Sequence, residues 1–207
     1  MAPGTFRSSD SAPRVALIRG GFAYPLFPEE RAGGPFFRME DVMARWSVLR
    51  GERGSGPFAP STSAGPGMPL AAVRLLAPVV RPGAVICIGK NYLEHVGEVD
   101  SGLPGISKTA VPEVPIIFNK SGACVIGTGA AIELPEGLTA MADYEGEMGV
   151  VIGVEGRFIP KERALEHVFG YTCVNDATAR DVQKRHQQVL VCSGPLVGMP
   201  PRMFSGP

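Results

Sequence analysis

The chain carries no net charge, because its 20 basic side chains are matched by 20 acidic ones. No overall field therefore concentrates nucleic acid or an anionic membrane surface on it, and an anionic ligand must be attracted locally. It also lacks any apolar run approaching the roughly 20 residues of a membrane span, and its first residues lack the apolar stretch of a secretory signal. Cysteine is scarce: Cys87, Cys124, Cys173 and Cys192 lie far apart with no C-x-x-C, which argues against a disulfide frame and for reduced thiols. These absences predict a soluble protein of the cytoplasm that engages neither nucleic acid nor membrane. The mitochondrion is the alternative compartment, since residues 1–19 hold Arg7, Arg14 and Arg19, three serines and the single acid Asp10.

What the chain has in excess is turn formers. Its 27 Gly and 20 Pro favour short strands joined by turns over long helices, and 44% hydrophobic residues suffice for one sizeable core. The first 14 residues, polar and turn-rich, read as a disordered lead-in before Val15-Ala16-Leu17-Ile18. Met39, Val42, Met43 and Trp46 recur at helical spacing, and residues 51–69 read as a linker that closes a small N-terminal module of residues 15–69. Beyond it, strands are expected at Leu70–Leu76, Ala84–Ile88, Ile116–Phe118, Ala123–Ile126, Met148–Val154 and Phe169–Val174, with a helical turn or two over residues 160–168. The fold class is α+β, predominantly β.

The most informative stretch is Asp143-Tyr144-Glu145-Gly146-Glu147, which runs straight into the apolar Met148–Ile152. On a strand, residues two apart share a face at about 7 Å between Cα atoms, so Glu145 and Glu147 project side by side with Asp143 in line. One alternative is a solvated strand edge. Yet like charges leading into a core need a counter-ion, and a hard divalent cation with oxygen ligands meets that need without Cys or His. Asp176, at the end of the expected strand Phe169–Val174, is the third candidate ligand; its other reading is a helix N-cap. If residues 91–98 are helical, His95 and Glu98 stand at i and i+3, where a carboxylate raises the basicity of the imidazole as a general base requires; the alternative is a surface pair.

Four motifs then fall in a recognisable order: GKNYLEH at 89–95, PIIFNK at 115–120, DYEGEMGVVIG at 143–153 and GYTCVNDATARDVQ at 170–183. Together they resemble the fumarylacetoacetate hydrolase family, nearest its domain-containing branch, over residues 70–188. The resemblance implies a mixed β-sheet fold, a homodimer, and Mg²⁺ as cofactor, with Mn²⁺ or Ca²⁺ as substitutes. It implies an enzyme acting on 2-oxo and β-dicarbonyl acids by hydrolytic C–C cleavage, as of an acylpyruvate or fumarylacetoacetate, or by decarboxylation of oxaloacetate; isomerisation and dehydration are further family reactions. Glu145, Glu147 and Asp176 are then the metal ligands, His95 with Glu98 the proton-moving dyad, and Gln183 a donor to the developing oxyanion. Lys120 and Arg180 also occupy motif positions, without an assigned role.

After Gln188 the resemblance ends. The family's next element carries a lysine that completes the oxyanion site, whereas the only lysine after Asp176 here is Lys184. Residues 189–207, with four Pro, three Gly and no periodicity, read as an atypical tail and a fold incomplete at its C-terminus. A non-catalytic fragment that binds metal or pairs with an intact subunit is therefore the alternative expectation.

Overall fold

The structure is a computed structural model that describes residues 2–8, 13–25, 38–44, 66–92, 113–134, 136–186 and 193–198. The first sheet is built from β1 (Ala2–Arg7), β2 (Arg14–Arg19), β3 (Phe22–Pro25), β4 (Met68–Pro69) and β5 (Arg74–Leu75), in the order β4-β3-β2-β1-β5. A hairpin of β6 (Val85–Gly89) and β7 (Ile116–Lys120) forms a second, two-stranded sheet. The third runs β10-β11-β12-β8, where β8 is Val125–Ile126, β10 is Gly146–Ile152, β11 is Val168–Ala179 and β12 is Ser193–Gly198, with β9 (Ala142–Asp143) paired to the far end of β11. Among the described residues, helix is confined to α1 (Met39–Ala44), α2 (Arg180–His186) and three 3-10 turns. The expected class, α+β and predominantly β, is the observed one. Among the described residues, no helix is long and apolar enough to cross a membrane.

Strand β2 shows how the sequence sets the core. Its alternate residues Val15 and Leu17 point to one side, where they pack with Met39 and Val42 of α1 and with Phe169 of β11. Ala16 points to the other side and packs with Phe6 and Ala23, with Met68, Leu70 and Leu75 against them. Each large side chain so buried contributes about 1.5–3 kcal/mol. Phe169 thus joins the first sheet to the third.

Several expectations need correction. The strand expected at Ala123–Ile126 is a 3-10 turn over Gly122–Cys124 followed by the two-residue β8. The lead-in over residues 1–14 contains β1, whose Phe6 is fully buried, because the segment pairs with β2 along its length and with β5 at Phe6 and Arg7. Pro3 is tolerated there since β5 reaches only those last two residues. Leu70–Leu76 is not one strand: Leu70–Ala72 is a 3-10 turn, closed by Val73 N–H to Leu70 O at 3.3 Å, and only Arg74–Leu75 pairs. The strand expected to end at Val174 continues to Ala179, so Asp176 lies inside a strand and caps no helix. Residues 193–198 of the tail pair with β11, and Pro195 falls where that register shifts, between Asp176 and Thr178, a place a strand accepts proline. The linker over residues 51–69 lies outside the described residues up to 65 and ends in β4.

The first sheet also fixes the loop before β6. Leu76 N–H donates to Thr5 O at 2.9 Å, and the Thr5 hydroxyl donates to Pro78 O at 2.8 Å. That loop leads to one wall of the cavity described next.

Candidate functional site

β10 and β11 run antiparallel with Glu147 opposite Val174 and Gly146 opposite Asn175. Glu145 precedes β10 but is stapled into the same register: its carbonyl accepts the Asp176 N–H at 2.8 Å, and its own N–H donates to Asn175 Oδ1 at 3.2 Å. Residues directly opposite in an antiparallel pair share a face. Glu145, Glu147 and Asp176 therefore line one side of the sheet, and all three face a cavity of about 1030 Å³. Arg180 and Gln183 of α2 and the turn Gly89–Tyr92 after β6 line the same cavity. Its volume is at the upper end for small-molecule sites. Lys90 bends the chain there with φ of 54°.

Each end of the acid row is engaged by a cation. Arg180 donates to Glu145 Oε1 from Nη2 at 2.5 Å and to Asp143 Oδ2 from Nε at 2.9 Å. Burial works against its charge, but the bonds to Glu145 and Asp143 outweigh burial and hold its pKa above the ordinary value. Its Nη1 donates to Gln183 Oε1 at 3.3 Å, which leaves the Gln183 amide N–H groups as the donors available to a ligand. Behind the row, Lys120 of β7 is 1% exposed and its Nζ forms an ion pair with Asp176, itself 6% exposed, while donating to Ala177 O at 3.5 Å. Burial, the largest influence, lowers the Lys120 pKa from its ordinary value. Asp176 Oδ1 is the buried oxygen that meets Lys120 Nζ, and it accepts no hydrogen bond beyond that ion pair.

As placed, no three carboxylate, imidazole or thiolate groups among the described residues converge on one point. Glu145 is turned to Arg180 and Asp176 to Lys120. The donor chemistry still fits a hard dication, because three carboxylates, Glu145, Glu147 and Asp176, line one cavity. Cys87, on the inward row of β6, also lines the cavity; burial pushes its thiol up, which keeps it protonated and a poor ligand. His95 and Glu98 lie outside the described residues.

Sequence reasoning left two partners without roles. The signal for Lys120 is its place at the end of an apolar strand, where the period of two puts it on the inward side with Phe118. Arg180 follows the acids by a separation no local pattern spans, and only the pairing of β9 with Thr178 and Ala179 brings it to Asp143.

A clamp beside the site holds α2. Asp181 Oδ1 accepts the Thr139 hydroxyl, and Oδ2 accepts the Ala140 N–H at 3.1 Å. The Thr139 bond, then that of Ala140, lowers the Asp181 pKa from 3.8. A carboxylate whose pKa is depressed by folding stabilises the fold fully above its unfolded value and loses that contribution as pH falls through the folded value. Asp181→Asn is thus expected to lower the melting temperature by about 2–4 °C at pH 7, a gap that closes as both proteins are melted at pH values progressively below 3.8. A gap unchanged down to pH 2.5 would refute the assignment.

Residues 84–196 match the family described as fumarylacetoacetate (FAA) hydrolase C-terminal. The oxaloacetate tautomerase YisK of Bacillus subtilis (strain 168) is 48% identical over 123 residues, 59% of this chain and 39% of its own length. A mitochondrial oxaloacetate tautomerase of Xenopus laevis is 40% identical over 113 residues, 55% of this chain and 33% of its own. Among solved structures, a fumarylacetoacetate hydrolase from Exiguobacterium antarcticum superposes with a TM-score of 0.65 at 33% identity, covering 93% of this chain and 62% of that one. A 5-carboxymethyl-2-hydroxymuconate delta-isomerase from Mycobacterium smegmatis gives a TM-score of 0.67 at 28% identity, with 97% and 65% covered. The chain spans less than half the length of these curated relatives. With its acid row, its sheet order and a profile match over more than half its length, the chain belongs to the fumarylacetoacetate hydrolase family.

Proposed function

We propose that this chain forms the metal-bearing site of an enzyme that moves a proton next to the carbonyl of a 2-oxo acid, with oxaloacetate-type dicarboxylates as the first substrate class to test. The observation that carries the reading is the convergence of Glu145, Glu147, Asp176, Arg180 and Gln183 on one cavity. Two relatives are oxaloacetate tautomerases, and the isomerase from Mycobacterium smegmatis acts on a 2-hydroxymuconate, the enol of a 2-oxo acid. Enolisation is the step these reactions share with C–C hydrolysis and with decarboxylation, and it is the coarser chemistry proposed.

Glu145, Glu147 and Asp176 are the residues that would hold Mg²⁺ or Mn²⁺. Such an ion supplies Lewis-acid stabilisation of a developing enolate, worth several kcal/mol. The chain's own side chains supply the rest. The Gln183 amide donates to the oxyanion. Arg180, fixed by Asp143, orients both Glu145 and Gln183 from one guanidinium. The turn Gly89–Tyr92 lines the cavity, and His95 and Glu98, which follow it in the sequence, would take and return the proton.

A second reading, a metal-binding chain without turnover that pairs with an intact subunit, is favoured by exposed apolar side chains on two of the sheets. The exposed apolar side chains of Ile86, Ile117, Met148 and Ile152, three of which also line the cavity, are the surface it would use. One assay separates the two: loss of enol-oxaloacetate absorbance in Mg²⁺ against EDTA, run beside Mn²⁺ binding. Turnover above the EDTA control supports the enzyme. Binding without turnover supports the second reading, and the absence of both binding and turnover removes both.

A further inference from the structure

The metal reading leaves Lys120 unexplained, since it lies behind Asp176 rather than on the cavity wall. We propose that Lys120 is a positioning residue that serves as a resident stand-in cation, stabilising Asp176 in the metal-free chain and weakening the divalent cation's hold on the acid row. The proposal rests on Glu145, Glu147 and Asp176 being the metal site.

Asp176 is 6% exposed, and a buried carboxylate without a partner is strongly unfavourable. The chain answers with an ammonium that is 1% exposed, tied by its second contact to Ala177 O of the same strand. Lys120 belongs to the β6–β7 hairpin, whose register puts it opposite Val85, whereas Asp176 belongs to the third sheet. The ion pair therefore docks one sheet on the other before any metal arrives. A cation held permanently against one ligand also repels a second cation that seeks the same oxygen, and at protein-interior spacing that repulsion is large. Arg180 does the same for Glu145 from the cavity side. The site folds without metal and binds metal less tightly than its three carboxylates alone would.

This separates Lys120 from a merely structural lysine, whose loss lowers stability and leaves metal affinity unchanged or worse. Lys120→Met is expected to lower the melting temperature of the EDTA-treated chain by about 6 °C or more, yet to tighten Mn²⁺ binding by at least about fivefold at pH 8. Calorimetric titration with Mn²⁺ alone reads the affinity. Lys120→Arg, which keeps the charge, should bind Mn²⁺ within about twofold of wild type. Unchanged or weaker binding by Lys120→Met overturns the proposal while leaving the metal site standing. No Mn²⁺ binding by the wild-type chain removes the metal reading, and the proposal with it. If Lys120→Met does not fold, Lys120→Gln takes its place with the same expectation. If neither neutral variant folds, ¹⁵N signals of the lysine ammoniums in the wild-type chain decide: movement of the Lys120 signal on Mg²⁺ saturation supports the proposal, and a stationary signal overturns it.

Discussion

Asp176→Ala is expected to abolish divalent-cation binding and to destabilise the chain by about 3–5 kcal/mol, the usual result of breaking a buried ion pair from one side. The magnitude follows from what the substitution leaves behind. Lys120 is 1% exposed, and without Asp176 its ammonium keeps only the long contact to Ala177 O at 3.5 Å. Urea unfolding of the metal-free protein measures the loss, and Mn²⁺ titration measures the binding. The double variant Lys120→Met, Asp176→Leu sharpens the argument. Replacing both charges by apolar groups is often neutral, so most of the stability should return while metal binding stays absent. A double variant as unstable as Asp176→Ala would show that the pair's charge is not what the fold misses.

The second large effect sits just beyond Lys120, at Gly122. A Cβ there would stand 2.0 Å from Pro82 O and 3.1 Å from Pro82 C. Both obstacles are main chain, in the loop that leads to β6, so no side chain can swing away. Gly122→Ala is expected to destabilise by about 3 kcal/mol or more, with the displacement passed to Lys120 two residues earlier. Gly146→Ala is the matched control: nothing lies within 4 Å of its Cβ and its φ is not positive. That variant should fall within about 0.5 kcal/mol of wild type. Denaturation midpoints of the pair test the claim, and similar values for the two would refute it.

How much of this was readable in the sequence depends on how local each cause is. Glu145 and Glu147 were legible because a period of two needs only their own neighbours, and the observed register keeps them on one face. The extent of β11 was not, since its last residues are held in a strand by β9, more than 30 positions away. Strand β1 was hidden for a related reason: Ala2-Pro3-Gly4-Thr5 has little strand preference of its own, and pairing with β2 supplies it. The same holds for β12, whose Ser193-Gly194-Pro195 reads as a turn until β11 and β8 flank it. Of the six site residues expected, four meet at one cavity, and His95 and Glu98 fall outside the described residues.

The alternation along β10 has a consequence for how the gene can vary. Glu147 shares its face with Gly149 and Val151, while Met148 and Val150 take the other, and a bulge between Val151 and Ile152 closes the register. Deleting one codon between positions 147 and 151 would turn Val151 away from Phe169 or, if the core holds it, rotate Glu147 off the face it shares with Glu145 and Asp176. Deleting two would restore the faces and shorten only the strand. Among descendants of this sequence that keep the site, length changes within β10 should therefore occur in pairs, even where single substitutions on its outer face accumulate freely.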